Sequence, residues 1–111
     1  MSDELEPEEE GIFFTQFLRP DGRRADIHIV RPPEILAVAR KLETAGVQFE
    51  AEVLRDDVTV SFTASLPNPE SEVLYLATEL VPNGPKVLEA VDKLVMRAFA
   101  RYNEMHPEKA L

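Results

Sequence analysis

The chain has 111 residues, 44% of them hydrophobic, which suits one domain around one core and leaves no room for two. It contains no cysteine, so disulfides, thiolate metal sites and cysteine nucleophiles are excluded together. Against 12 basic residues stand 21 acidic ones, and the formal charge of −9 repels nucleic acid and anionic lipid at long range; it favours basic partners, or serves solubility alone.

In chain order, residues 1–11 (MSDELEPEEEG) read as a disordered acidic tail, since they bury almost nothing against the entropy cost of ordering. The tail lacks the basic start and apolar run of a secretory signal, and no later stretch has membrane-spanning length, so the expected compartment is the cytoplasm. IFFTQFLR (12–19) and RADIHIVR (24–31) flank Pro20-Asp21-Gly22, which suits a type I turn with Gly22 in a left-handed bulge position. A three-residue loop sets Phe17 opposite Ala25 and Phe13 opposite Ile29. It places Phe13, Thr15, Phe17, Ala25, Ile27 and Ile29 on the core side. A two-residue turn on Asp21-Gly22 would instead turn Phe14 and Leu18 inward.

Arg31-Pro32-Pro33 ends the second strand. EILAVARKLETA (34–45) carries Ile35, Val38, Ala39 and Leu42 at helical spacing, with Gly46 as the stop. A helix with short connections reverses the chain, so the strand starting at Val47 is expected to run parallel to the second strand and antiparallel beside the first. VQFEAEV and VTVSFTASL then alternate apolar and polar residues on either side of Arg55-Asp56-Asp57, the pattern of a hairpin. One face takes Val47, Phe49, Ala51, Val53, Val58, Val60, Phe62, Ala64 and Leu66. The other takes Gln48, Glu50 and Glu52 beside Thr59, Ser61, Thr63 and Ser65.

EVLYLATELV (72–81) lies between two Pro-bearing loops and reads as a fifth strand, although its Leu, Ala and Glu content would also suit a helix. Leu74, Leu76, Thr78 and Leu80 point one way and Val73, Tyr75, Ala77, Glu79 and Val81 the other. Which set faces the core is left open. Pro82-Asn83-Gly84-Pro85 predicts a second helix, with Pro85 near its first position and Asn83 or Gly84 as its cap. Its apolar stripe runs Val87, Leu88, Val91, Leu94, Val95, Ala98, Phe99, Tyr102. Pro107 stops it, so 12–103 form one domain and 104–111 are expected to fray.

The predicted class is α+β: ββαβββα, a five-stranded, largely antiparallel sheet with both helices packed on one face. Strand orders 2-1-3-4-5 and 2-1-5-4-3 both satisfy the connections.

Chemistry has few candidates. His28 lies two residues from Asp26 on one strand face, where a carboxylate could orient an imidazole base or metal ligand, but a second strong ligand is missing; an ordinary cross-strand role accounts for it. Glu50 and Glu52 share a face about 7 Å apart and could form an acid–base pair, yet nothing nearby in sequence would separate their pKa values. There is no G-x-S-x-G, P-loop or dinucleotide-binding motif. No catalytic, cofactor or metal site is therefore expected, and the chain reads as non-enzymatic.

Two surfaces suit recognition. Arg19, Arg23 and Arg24, with Arg31 further on, cluster around the first hairpin beside Asp21, against the global charge; such a tip can grip phosphates or an acidic groove, or simply keep an edge hairpin soluble. The outer sheet face would offer Phe14, Leu18, Tyr75, His28, Glu50 and Glu52, a mixture typical of protein contact surfaces. A self-complementary face or edge also makes a homodimer an economical arrangement. The expected function is a small protein-interaction module, with Arg19, Asp21, Arg23, Arg24, His28, Glu50, Glu52 and Tyr75 as contact residues. Alternatives are an acidic nucleic-acid mimic that occupies a basic protein and a nucleic-acid binder using the 19–24 tip, the latter disfavoured by charge. In style the short, acidic, motif-poor chain resembles many small bacterial or phage accessory proteins, a likeness that transfers no function.

Overall fold

The computed structural model describes residues 11–18, 21, 24–54, 56, 58–67 and 72–111, with the backbone alone at 15–18 and 24–26. Its elements follow the predicted succession: β1 Gly11–Leu18, β2 Arg24–Val30, α1 Pro33–Thr44, β3 Gln48–Val53, β4 Thr59–Leu66, β5 Leu74–Pro82 and α2 Val87–Met105. The class is α+β. The strands lie in the order β2-β1-β3-β4-β5, the first of the two arrangements expected.

The expectation of one five-stranded sheet with β3 antiparallel beside β1 requires correction. The strands divide into an antiparallel pair, β1–β2, and an antiparallel triplet, β3–β4–β5, which meet along a parallel seam between β1 and β3. Only Thr15 with Glu50 and Leu18 with Glu52 register across that seam. The reason is the course of α1. The end of β2, the start of β1 and the start of β3 all lie at one end of the sheet, so α1 carries the chain sideways over β1 without reversing it. An Arg40 Nη2–H donated to the carbonyl of Gly11 at 3.0 Å holds the middle of the helix against the start of β1.

A bulge explains which residues of β1 face inward. Near the tip the register is the one a three-residue loop dictates, with Phe17 opposite Ala25; by Phe14 it has slipped, so that Thr15 and Gln16 together stand opposite Asp26. The slip turns β1 over. Ile12 and Phe14, not Phe13, are fully buried, opposite Ile29 and Ile27. Burying Ile and Phe removes more apolar area from water than burying Phe and Thr, the pair the unbroken alternation would have put inside. A second bulge, at Leu76, lets Leu76 and Ala77 both face the core and leaves Glu79 and Val81 inward, Thr78 and Leu80 outward.

Both helices end where the sequence permits. Pro32 precedes α1 in extended conformation, with Pro33 at its first turn. After Thr44, Gly46 takes φ 102°, its N–H donating to the Glu43 carbonyl at 3.0 Å while the Val47 N–H reaches the Leu42 carbonyl at 2.9 Å. This is a Schellman motif, and the buried Leu42 and Val47 supply its apolar contact. At α2 the expected cap is displaced. The Asn83 N–H continues the β4–β5 ladder to the Val58 carbonyl, so the helix begins at Val87 with Lys86 before it and no side-chain cap. It continues to Met105, past the expected break at Asn103. A 3₁₀ turn follows at Pro107–Lys109, and the Leu111 N–H returns to Asn103 Oδ1 at 2.7 Å.

The stripes Leu36, Ala39, Leu42 of α1 and Val91, Leu94, Val95, Ala98 of α2 enter one core with the inner sides of the strands. Phe14 meets Phe62 edge-on at 5.0 Å between ring centroids and Phe49 at 5.9 Å. Arg31, expected in the basic cluster, is bound elsewhere. Its Nε and Nη2 donate to the two carboxylate oxygens of Asp92 at 2.7 and 2.6 Å, clasping the end of β2 to α2.

Between β3 and β4, Asp56 Oδ1 accepts from the Val58 and Thr59 amides and Oδ2 from the Thr59 hydroxyl. These bonds, the hydroxyl's foremost, hold the Asp56 pKa below the ordinary value of 3.8. A depressed pKa means that the carboxylate stabilises the folded state above the unfolded pKa and loses that contribution as pH falls through the folded one. Asp56→Ala should therefore lower the urea midpoint at neutral pH, and the gap to wild type should close as pH drops below about 4. The face assignment of β1 is checked in the same assay: Phe14→Ala should cost about 3–5 kcal/mol, and Phe13→Ala under about 1 kcal/mol.

Candidate interaction surface

The polar alternation of β3 and β4 is unbroken, so their outward side chains form regular rows with those of β5. Gln48, Ser65 and Tyr75 make one row, Glu50, Thr63 and Thr78 the next, and Glu52, Ser61 and Leu80 a third. Tyr75 and Leu80 are each 63% exposed. Ser65, set between Gln48 and Tyr75, is closed off at 3%. Among the described residues, both helices lie on the opposite, core side.

Charge on this face has one sign. β3, β4 and β5 contain neither Lys nor Arg, and their three acidic residues are Glu50, Glu52 and Glu79. Glu79 points inward, where Arg97 of α2 binds it. Glu50 and Glu52 point outward, and among the described residues no ion pair holds either. They stand about 7 Å apart on a field of hydroxyls bounded by Tyr75 and Leu80.

Thus Glu50, Glu52 and Tyr75 are brought together as expected. His28 is on the same side but belongs to the β1–β2 pair, where its ring stacks on Phe13 with centroids 4.5 Å apart and planes 27° from parallel. The expected outer aromatic Phe14 is replaced there by Phe13, 45% exposed, because of the bulge in β1. Asp21 is exposed in the hairpin turn, and Arg24 pairs through its backbone with Leu18. Arg19 and Arg23 lie outside the described residues. Leu18, the last residue of β1, registers with Glu52. Leu80 is the residue that sequence reasoning left unassigned. Its signal was the match of Val81 to Val60, which forces Leu80 outward.

The His28 ring is seated over Gly11: a Cβ built there would lie 2.2 Å from Nε2. The aromatic stack and the missing side chain give the ring a structural seat. No group of three or more His, Cys, Asp or Glu gathers among the described residues, and no helix is long and apolar enough to cross a membrane. Gly11→Ala should displace the ring, moving the His28 ring-proton resonances out of the Phe13 ring-current shift that the wild type shows, with a stability change within about 1 kcal/mol because the ring can turn away.

Comparison of the chain with protein-family models, with curated proteins and with solved structures yields no match.

Proposed function

We propose that the protein is a non-enzymatic interaction module whose outer sheet face receives a cationic segment of another protein. The observation that carries this reading is the pair Glu50 and Glu52, outward carboxylates on three strands without a single Lys or Arg. Glu52 is exposed and Glu50 half-buried, and a partner ammonium or guanidinium arriving between Tyr75 and Leu80 would meet both charge and apolar surface. The formal charge of −9 adds long-range attraction for such a partner and repels nucleic acid. Of the groups that could have supported catalysis, His28 is stacked on Phe13, and Glu50 and Glu52 lie on the outer face away from both helices.

The test is a titration of the isotopically labelled chain with a short amphipathic Lys/Leu peptide, followed by amide shifts. Shifts should centre on Thr63, Thr78 and Tyr75, weaken steeply with salt, and lose about tenfold in affinity in Glu50→Gln/Glu52→Gln. Tyr75→Ser should weaken binding without altering the salt slope. Shifts confined to α2, or an affinity indifferent to the double substitution, would reject the proposal.

A further inference from the structure

We propose that the Asn83–Gly84 step modifies itself: in the folded protein the Gly84 nitrogen closes on the Asn83 side chain, expels ammonia and leaves aspartate or isoaspartate at position 83. Asparagine before glycine is suited to this chemistry, because the side-chain carbonyl carbon is one ring closure from the next backbone nitrogen and glycine has no Cβ to obstruct the approach. Folding ordinarily prevents it. Hydrogen bonds pin the intervening peptide plane or the side-chain amide, and the two atoms cannot meet.

At this turn those restraints are missing. Asn83 and Gly84 are both exposed, between the end of β5 and the start of α2. Among the described residues the Asn83 side chain makes no hydrogen bond, and neither does the Asn83 carbonyl or the Gly84 N–H, the two ends of the peptide that must turn. The other asparagines are protected. Asn103 lies within α2 and accepts the Leu111 N–H on Oδ1, while Asn68 precedes a proline, whose nitrogen has no hydrogen to give up. The fold does not itself require glycine at position 84. Its φ lies outside the left-handed region, which among the described glycines Gly46 alone occupies, and a Cβ there would meet nothing within 4 Å.

The reaction balances with water alone. A bond forms between the Gly84 nitrogen and Asn83 Cγ, the Cγ–Nδ2 bond breaks, and the proton lost from the Gly84 nitrogen leaves on ammonia. Water then opens the cyclic imide at either carbonyl. Opening at Cγ restores the main chain with a carboxylate side chain, whereas opening at the backbone carbonyl routes the chain through Cβ and Cγ and lengthens it by one methylene. The longer product bears on the fold. On one side of the step the Asn83 N–H donates to the Val58 carbonyl at 2.6 Å, and on the other the Gly84 carbonyl accepts the Val87 N–H at 3.1 Å, where α2 begins. An extra methylene between these two anchors loosens the joint that sets α2 against β5.

Ageing of the full chain at mildly alkaline pH, followed by peptide mass analysis, tests this. The peptide that contains Asn83 should gain the mass difference between water and ammonia, separate into two products on chromatography, and accept methyl groups from a protein-isoaspartyl methyltransferase. The rate should rise with pH, because the nitrogen attacks once its proton is removed, and should be of the same order in native buffer as in guanidinium chloride. Gly84→Ala, which the open space accommodates, should slow product formation severalfold, and Asn83→Ser should abolish it. The isoaspartate form should unfold at a lower denaturant midpoint than fresh protein, while Asn83→Asp, which adds the charge without the methylene, should keep the fresh midpoint. Native protein that holds its mass while the unfolded chain gains, a Gly84→Ala chain that reacts as fast as wild type, or a gain confined to another asparagine would each overturn the proposal. An isoaspartate form as stable as fresh protein would overturn its effect on the joint.

Discussion

The structure depends on a seam that side chains hold more firmly than the backbone does. β1 and β3 share only two registered positions, and the extra residue of the β1 bulge interrupts them, since three steps along β1 accompany two along β3. Across this weak ladder Phe14 reaches edge-on to Phe49 of β3 and Phe62 of β4, all three rings buried. Such pairs add to the burial of area a preference for one geometry. The Arg31–Asp92 clasp repeats the device at the far side, tying the end of β2 to α2. Two antiparallel blocks thereby act as one support.

With the inner side sealed by aromatic and helical packing, the outer side is left to solvent, and the charges sort accordingly. The inward acid of the triplet, Glu79, is paired with Arg97, whereas the half-buried Glu50 and the exposed Glu52 point outward. Nothing in the packing requires acids at those two positions, for Gln48 or Thr63 would serve a wet face as well. Their sign is surplus to the fold, which is why the outer face is the place to look for a partner.

What the sequence disclosed followed the regularity of the backbone. On β3 and β4 alternation is unbroken, and Phe49, Ala51, Val60, Phe62 and Ala64 proved buried while Glu50, Glu52, Ser61 and Thr63 turned away, as read. The helical stripes were legible in the main, because a period near 3.6 leaves little choice of face, but Leu36, outside the expected α1 stripe, is buried and Leu88, expected in the α2 stripe, is 45% exposed. The failures sit at the two bulges. An inserted residue reverses every side chain beyond it without any mark in composition, so Phe13 exchanged places with Phe14, and the inner face of β5 could not be chosen until Leu76 was seen to interrupt it. The direction of β3 was missed for another reason. A twelve-residue helix can reverse a chain or carry it sideways, and the contact that decides, Arg40 with the Gly11 carbonyl, joins residues far apart in sequence. Of the contact surface, Glu50, Glu52 and Tyr75 were legible because their own strand segments are regular; Leu80 needed the register.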